Sequence, residues 1–178
     1  MGADGTDSRV LILTGPGKGK TTSALGTALR AVGHGMRVLF LQFVKAEECG
    51  EHRAAERLGG LLQMRLAGTG FIDTSDPECM ARAREAAARA LAEAAAALAS
   101  GDYGLVVLDE VIFAVDAGLL VADDVRAAVE GRARGTHVVL TGRGDAGGLA
   151  DLADTITCME DVKHAHAGGT AATPGIEF

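Results

Sequence analysis

A glycine-rich segment at Thr14–Thr22 constrains this chain more than any other feature of its sequence. It reads TGPGKGKTT, follows the apolar run Arg9–Thr14 and overlaps Thr21–Val32, whose apolar spacing predicts a helix that ends at Gly33. A buried strand, a glycine-rich turn and a helix in this order are the context of a phosphate-binding loop, in which backbone amides and the helix N-terminus face the anion. The sequence therefore predicts a nucleoside triphosphate site here, rather than a solvent-exposed glycine-rich turn.

The residues of this loop suggest separate roles. We expect Lys20 to neutralise the outer phosphates and Thr21 to offer its hydroxyl to Mg²⁺ or Mn²⁺. The predicted triphosphate-binding residues of the loop are Gly15, Pro16, Gly17, Lys18, Gly19, Lys20, Thr21 and Thr22. In the pattern G-x-x-x-x-G-K-[ST] the first glycine would fall at Thr14, but this chain has it at Gly15, so the loop is effectively shorter.

Apolar runs alternate with helical segments along the rest of the chain. Predicted strands are Met36–Phe43, Gln63–Leu66, Gly104–Asp109, Thr136–Thr141 and Thr155–Met159, and predicted helices are Pro77–Ala99, Ala122–Glu130 and Leu149–Ala153. Strands that are apolar throughout and alternate with helices are typical of a parallel sheet covered on both faces. We therefore predict a three-layer α/β fold of the P-loop NTPase type with a mostly parallel sheet, forming one domain at 9–178 behind a flexible leader at 1–8.

Composition bears on the partners of the chain. A formal net charge of −7 disfavours broad binding to a nucleic-acid backbone, which requires clustered Lys and Arg. No apolar run approaches the roughly 20 residues of a membrane helix, and the polar N-terminus lacks the apolar region of a signal peptide. We therefore expect a cytoplasmic protein that binds small molecules and neither nucleic acid nor membrane.

An acidic pair follows one of the buried strands. Asp109 and Glu110 come directly after the apolar residues 105–108, in the manner of a Walker B strand. A carboxylate that leaves such a strand near Thr21 can complete the coordination of magnesium, although a helix-capping role is the alternative. Of the two carboxylates, we expect Glu110 to contact the metal and Asp109 to act from the outer shell or through water.

Three basic residues are further candidates for ligand binding. Arg143 lies between two glycines directly after a strand, and Lys45 follows the second strand, so both are expected at the carboxyl edge of the sheet. Arg30 lies about 15 Å beyond Lys20 on a straight helix. A phosphate contact by Arg30 therefore requires the triphosphate to lie back over the helix, or another chain to supply the arginine. For each of the three, a plain surface role is the alternative.

Together, these segments resemble the ATP:corrinoid adenosyltransferases of cobalamin biosynthesis. The resemblance is carried by TGPGKGKTTSALG (14–26), RAVGHGMRVLFLQFVK (30–45), GTGF (68–71), VVLDE (106–110), VVLTGRG (138–144), LADTIT (152–157), VKHA (162–165) and GIEF (175–178). They occur in the order of the family and cover nearly the whole chain after residue 9. The chain departs from the family pattern at Pro16, where Asp or Asn is common, and at Asp73, where a tryptophan is usual.

The resemblance implies transfer of the 5′-deoxyadenosyl group of ATP to cobalt(I) of a corrinoid, with release of inorganic triphosphate. The acceptor would be cobyrinic acid a,c-diamide, cobinamide or cobalamin. The resemblance also implies that the enzyme is a homodimer and that a separate reductase supplies cobalt(I). The implied sites are the triphosphate site at Gly15–Thr22 with Arg30, the catalytic residues Lys20, Thr21 and Glu110, the metal ligands Thr21, Glu110 and Asp109, and the corrinoid-side residues Phe71, Arg143 and His164.

The shortened loop fits the implied reaction, since the bond that breaks lies at the 5′ carbon and the whole triphosphate is the leaving group. The residues alone leave two other functions open. One is a phosphotransferase or NTPase that acts at the γ-phosphate, and the other is a nucleotide-binding corrinoid carrier without turnover.

Overall fold

The structure is a computed structural model, and it describes residues 8–163, 169 and 171–176. Its strands are β1 (Val10–Thr14), β2 (Val38–Gln42), β3 (Leu62–Leu66), β4 (Leu105–Asp109), β5 (His137–Thr141) and β6 (Thr155–Cys158). Its helices are α1 (Lys20–Gly33), α2 (Gly50–Glu56), α3 (Pro77–Ser100), α4 (Val111–Asp116) and α5 (Ala122–Glu130), with a 3₁₀ turn at Ala150–Leu152. Residues 1–7 of the predicted leader and His164 lie outside the described residues.

The strands form one sheet in the order β3-β2-β4-β5-β1-β6. Every strand pairing in the described part of the chain is parallel. This confirms the predicted α/β fold with its parallel central sheet. Strand β5 lies between β1, which leads into the glycine-rich loop, and β4, which leads into the acidic pair, so three strand ends converge at one edge.

Two apolar cores cover the two faces of the sheet, because successive side chains of a strand point to opposite faces. Ile12 and Leu140 belong to the core that contains buried residues of α3, α4 and α5. Their neighbours in sequence, Leu13 on β1 and Val139 on β5, belong to the core of α1 and α2. The helices therefore lie on both faces, as the sequence predicted.

The long helix α3 shows how small side chains let a helix approach the sheet. Asp76 caps its N-terminus by accepting a hydrogen bond from the Glu78 amide at 2.9 Å, and Pro77 stands at the first helical position. Its buried residues include five alanines, Ala83, Ala86, Ala87, Ala90 and Ala94. The predicted helix at Pro77–Ala99 is confirmed, and its buried stripe consists mostly of small residues.

Three helical segments differ from the sequence prediction. The predicted helix Leu149–Ala153 is only a 3₁₀ turn at Ala150–Leu152, and helices α2 and α4 were not predicted. Helix α2 reads GEHRAAE, a short polar stretch without apolar periodicity. Helix α4 reads VIFAVD, and so short an apolar run does not distinguish a helix from a strand.

Leu98 anchors the C-terminal half of α3 and tests its assigned face. Its side chain is 0% exposed in the core of α3, α4 and α5, whereas Leu29 on α1 is 56% exposed. We expect Leu98→Ala to lower the free energy of unfolding by about 2–5 kcal/mol, and Leu29→Ala to change it by less than about 0.5 kcal/mol. Urea denaturation of both variants measures the difference, and equal losses would contradict the assigned face.

Candidate active site

The glycine-rich loop joins β1 to α1 and encloses the Lys20 side chain. Gly19 has a φ of 111°, a left-handed conformation that glycine adopts without strain, and it turns the chain into the helix. The Lys20 ammonium is buried and donates to the carbonyl oxygens of Gly15 at 2.8 Å and Gly17 at 2.7 Å. Desolvation by burial lowers the pKa of Lys20, and the charge of Glu110 opposes this shift.

The outer side of the loop is bound by residues 159–161, which we call the β6 extension because they continue β6. The Met159 amide donates to the Thr14 carbonyl at 2.8 Å, and the Gly17 amide donates to the Met159 carbonyl at 2.8 Å. The Lys18 amide donates to Oδ1 of Asp161 at 2.9 Å. The loop therefore has three hydrogen bonds to a segment that is distant in sequence.

This packing explains two of the glycines. A Cβ on Gly15, whose φ is 101°, would lie 2.4 Å from the Met159 carbonyl oxygen. A Cβ on Gly17 would lie 2.7 Å from the carbonyl carbon of Glu160. These two glycines therefore let the β6 extension approach the loop closely.

Asp109 lies beneath the loop as the acceptor of a buried hydrogen-bond network. Its Oδ1 accepts from the hydroxyls of Thr21 at 2.9 Å and Thr141 at 2.7 Å, and its Oδ2 accepts from the Gln42 amide nitrogen at 3.2 Å. Asp109 is 1% exposed, and this desolvation raises its pKa although the three hydrogen bonds lower it. Since Thr21 directs its proton to Asp109, the oxygen lone pairs of Thr21 remain available to a cation.

Glu110 occupies a strained backbone position at the start of α4. Its φ of 63° is the only positive φ of a non-glycine residue in the described chain, a conformation that costs about 1–3 kcal/mol. The amide of Glu110 donates to the Thr141 hydroxyl at 2.9 Å, which holds this turn against β5. Burial raises the pKa of the Glu110 carboxyl, and the charge of Asp109 raises it further.

A cavity of about 540 Å³ opens over the loop at the carboxyl edge of the sheet. Its lining residues are Gly17, Lys18, Gly19, Lys20, Thr21, Thr22, Leu25, Lys45, Gly50, Glu51, Ala54, Glu110, Arg143, Gly175 and Ile176. The structure thus brings together most of the predicted loop with Lys45, Glu110 and Arg143. Asp109 lies behind this wall, and Gly15 and Pro16 lie outside the lining.

Helix α2 supplies cavity residues that the sequence did not reveal. Gly50, Glu51 and Ala54 line the cavity, and the Lys45 ammonium binds Oε1 of Glu51 at 2.6 Å. The only available signal was the charged pair itself, six residues apart and without a recognised motif. Although burial lowers the pKa of Lys45 and raises that of Glu51, their hydrogen bond and mutual attraction leave the Lys45 pKa raised and the Glu51 pKa lowered.

This ion pair predicts a pH-dependent contribution to stability. Because the folded-state pKa of Glu51 lies below the ordinary value of 4.5, the pair stabilises the fold above pH 4.5. That contribution is lost as the pH falls through the lower folded-state pKa. We expect Glu51→Gln to be less stable than the parent at neutral pH and the gap to close on acidification, as measured by urea midpoints. Glu48→Gln, at an exposed site, is the control, and a gap independent of pH would contradict the assignment.

Two predicted residues lie away from the cavity. Arg30 lines a separate cavity of about 250 Å³ with Arg9, His34 and His137, at the opposite edge of the sheet. Phe71 is 90% exposed and does not line the cavity over the loop. At Asp73, where the family pattern has tryptophan, the carboxylate accepts hydrogen bonds from the Ser75 amide and hydroxyl.

Comparison with known proteins agrees with this geometry. The family described as ATP:corrinoid adenosyltransferase BtuR/CobO/CobP matches residues 6–178. The chain belongs to this family. A corrinoid adenosyltransferase of Pseudomonas aeruginosa is 42% identical over 95% of this chain and 83% of its own length. Those of Escherichia coli K12 (37% identical) and Salmonella typhimurium (38% identical) each match 95% of this chain and 85% of their own length.

The side chains of this ATP:corrinoid adenosyltransferase suit a hard divalent cation. Within the described ranges, no three His, Cys, Asp or Glu side chains come together as a metal site. Magnesium usually takes one or two protein ligands together with phosphate oxygens and water. The Thr21 hydroxyl, backed by Asp109 and beside Glu110, offers such a partial ligand set. No helix in the described residues has the length and apolar content to cross a membrane.

Proposed function

We propose that this adenosyltransferase transfers the 5′-deoxyadenosyl group of ATP to cobalt(I) of a corrinoid and releases inorganic triphosphate. The observation that carries the proposal is the cavity of about 540 Å³ that the phosphate loop shares with Glu110 and Arg143. Its volume falls in the usual range for small-molecule sites. It brings positive charge from Lys20 and Arg143 to one cavity.

In this mechanism the loop binds the leaving group rather than the reacting atom. The cobalt(I) electron pair attacks the 5′ carbon, the bond from that carbon to the α-phosphate oxygen breaks, and its electrons pass to the triphosphate. Lys20 and the amides at the N-terminus of α1 stabilise the negative charge that develops there. The protein itself supplies no nucleophile, since the reduced cobalt of the substrate is one.

Mg²⁺ or Mn²⁺ bound by Thr21 and Glu110 would neutralise charge on the triphosphate. Asp109 would accept a hydrogen bond from the Thr21 hydroxyl and so orient the lone pairs of its oxygen toward the cation. Glu110, held at the cavity wall by its strained turn, would face the same position. These assignments rest on the hydrogen bond between Thr21 and Asp109 and on the place of Glu110 in the lining.

Arg143, Phe71 and His164 are our candidates for the corrinoid side, and Arg143 is the one that lines the cavity. Arg30 points to a different surface, so its proposed role requires a homodimer in which it reaches the site of the other chain. A separate reductase would supply cobalt(I), and the reaction would take place in the cytoplasm. Cobyrinic acid a,c-diamide, cobinamide and cobalamin are the acceptors to compare.

The test is product identification. The full chain is incubated with ATP, Mg²⁺ and each chemically reduced corrinoid, and the nucleotide and corrinoid products are separated by chromatography. Triphosphate together with a light-sensitive cobalt–carbon product is expected, and neither should form when the corrinoid is omitted. ADP and phosphate formed without corrinoid would contradict the proposal, and tight corrinoid binding without turnover would indicate a carrier.

A further inference from the structure

The glycine content of the phosphate loop makes its backbone costly to order. Glycine stands at three of the five positions from Gly15 to Gly19, and glycine loses more backbone entropy on ordering than any other residue. A loop of this composition needs contacts that fix its conformation. Lys20 supplies some of them from inside, and the β6 extension supplies the others from outside.

Asp161 makes the one side-chain contact among the hydrogen bonds of the β6 extension described above. The bonds of Met159 to Thr14 and Gly17 join backbone to backbone, whereas Lys18 donates its amide to the Asp161 carboxylate at 2.9 Å. A bond from an amide to an ionised carboxylate is stronger than one to a neutral acceptor. Substitution of Asp161 can therefore remove this contact and leave the two backbone contacts in place.

We propose that Asp161 is a positioning residue that holds the phosphate loop in the conformation that receives the triphosphate. The inference rests on the proposed function to the extent that the loop binds the triphosphate. Asp161 is not among the residues that line the cavity, so we expect its carboxylate not to compete with phosphate for that space. Burial lowers the pKa of Lys20, and the negative charge of Asp161 acts in the opposite direction, so it favours the charged ammonium.

The expected effect follows from the population of the binding-competent loop. When only a fraction of the molecules has the loop in the correct conformation, the apparent Kd rises by the inverse of that fraction. Loss of a charge-assisted hydrogen bond lowers that fraction by about tenfold. Once ATP is bound and the loop is ordered, the chemical step is unaffected, so the effect falls on KM rather than on kcat.

The experiment compares Asp161→Ala, Asp161→Asn and Glu160→Ala in the full chain. Glu160 is the adjacent exposed carboxylate, so its variant removes the same charge without the contact. Calorimetry measures the Kd of inorganic tripolyphosphate and of ATP with Mg²⁺, and the transfer assay gives KM and kcat. We expect Asp161→Ala to raise Kd and KM about tenfold with kcat within about twofold. Asp161→Asn keeps an acceptor oxygen, so its Kd and KM should stay within about threefold of the parent values. Glu160→Ala should have the Kd and KM of the parent.

Several results would overturn this role. Equal behaviour of Asp161→Ala and Glu160→Ala would show that the contact is irrelevant, and tighter binding by Asp161→Ala would show that the carboxylate competes with phosphate. A loss in Asp161→Asn as large as that in Asp161→Ala would refute positioning through the acceptor. If the parent chain itself does not bind tripolyphosphate or transfer adenosyl, the proposed function is refuted. If the parent is active and the Asp161 variants behave as described above, only the role of Asp161 is refuted.

Discussion

Lys20→Ala is expected to lower kcat/KM for adenosyl transfer by about 10²–10³-fold, the usual cost of losing a preorganised group that stabilises transition-state charge. The ammonium is buried inside the loop and donates to two carbonyl oxygens, so its charge lies within the loop itself. The loss should appear in kcat as well as KM, because the charge on the leaving triphosphate develops in the transition state. Initial rates of formation of the alkylated corrinoid measure it.

Lys18→Ala is the comparison for this prediction, since it removes the same charge from an exposed side chain of the same loop. Its effect should be less than about tenfold, as expected for a solvent-screened charge. Lys20→Ala also leaves two carbonyl groups without their hydrogen-bond partner, so it can destabilise the fold. Lys20→Met restores the bulk of the side chain, and urea denaturation of both variants distinguishes loss of activity from unfolding. A folded Lys20 variant with parental kcat/KM would contradict the role of the loop.

Asp109→Asn is expected to lower transfer by about 100-fold, which again corresponds to the loss of one preorganised electrostatic contact. An asparagine offers one acceptor oxygen and one donor nitrogen, so it cannot accept from Thr21, Thr141 and Gln42 in the observed arrangement. An asparagine oxygen in the place of Oδ1 can still accept from Thr21 and Thr141, but its amide nitrogen meets the Gln42 amide nitrogen donor to donor. The proposed cation site also loses a negative charge. Transfer rates over a range of Mg²⁺ concentrations should show a raised requirement for the metal.

Asp102→Asn is the control for this substitution, because Asp102 is exposed between α3 and β4, at the opposite edge of the sheet. Thr21→Ser, which keeps the hydroxyl, should retain most of the activity. An Asp109→Asn enzyme with an unchanged rate and an unchanged Mg²⁺ requirement would show that the network serves the fold alone.

The sequence predicted the parts of the site whose cause is local. Residues 10–14 and 105–109 are apolar enough to indicate buried strands without tertiary information, and the loop and the acidic pair follow directly from them. The structure then showed these predicted strands side by side around β5. The sheet and the cavity edge were therefore predictable from short stretches of sequence.

The remaining features depend on contacts between distant residues. The bond from Lys18 to Asp161 spans 143 positions and gives no periodic signal. Helix α2 has no apolar stripe, so its contribution of Glu51 to the cavity becomes visible only in three dimensions. The position of Arg30 follows from helix length alone, and the structure places it in a second cavity at the opposite edge.

The left-handed backbone at Glu110 has a consequence for engineering of this enzyme. Glycine would adopt the observed φ of 63° without strain, so a library sorted only for thermal tolerance would favour glycine at this position. A variant selected in this way would lose the Glu110 carboxylate, which lines the cavity over the phosphate loop. Screens for a more stable catalyst therefore need to select for product formation at every round, since at this residue stability and the proposed role of Glu110 favour opposite choices.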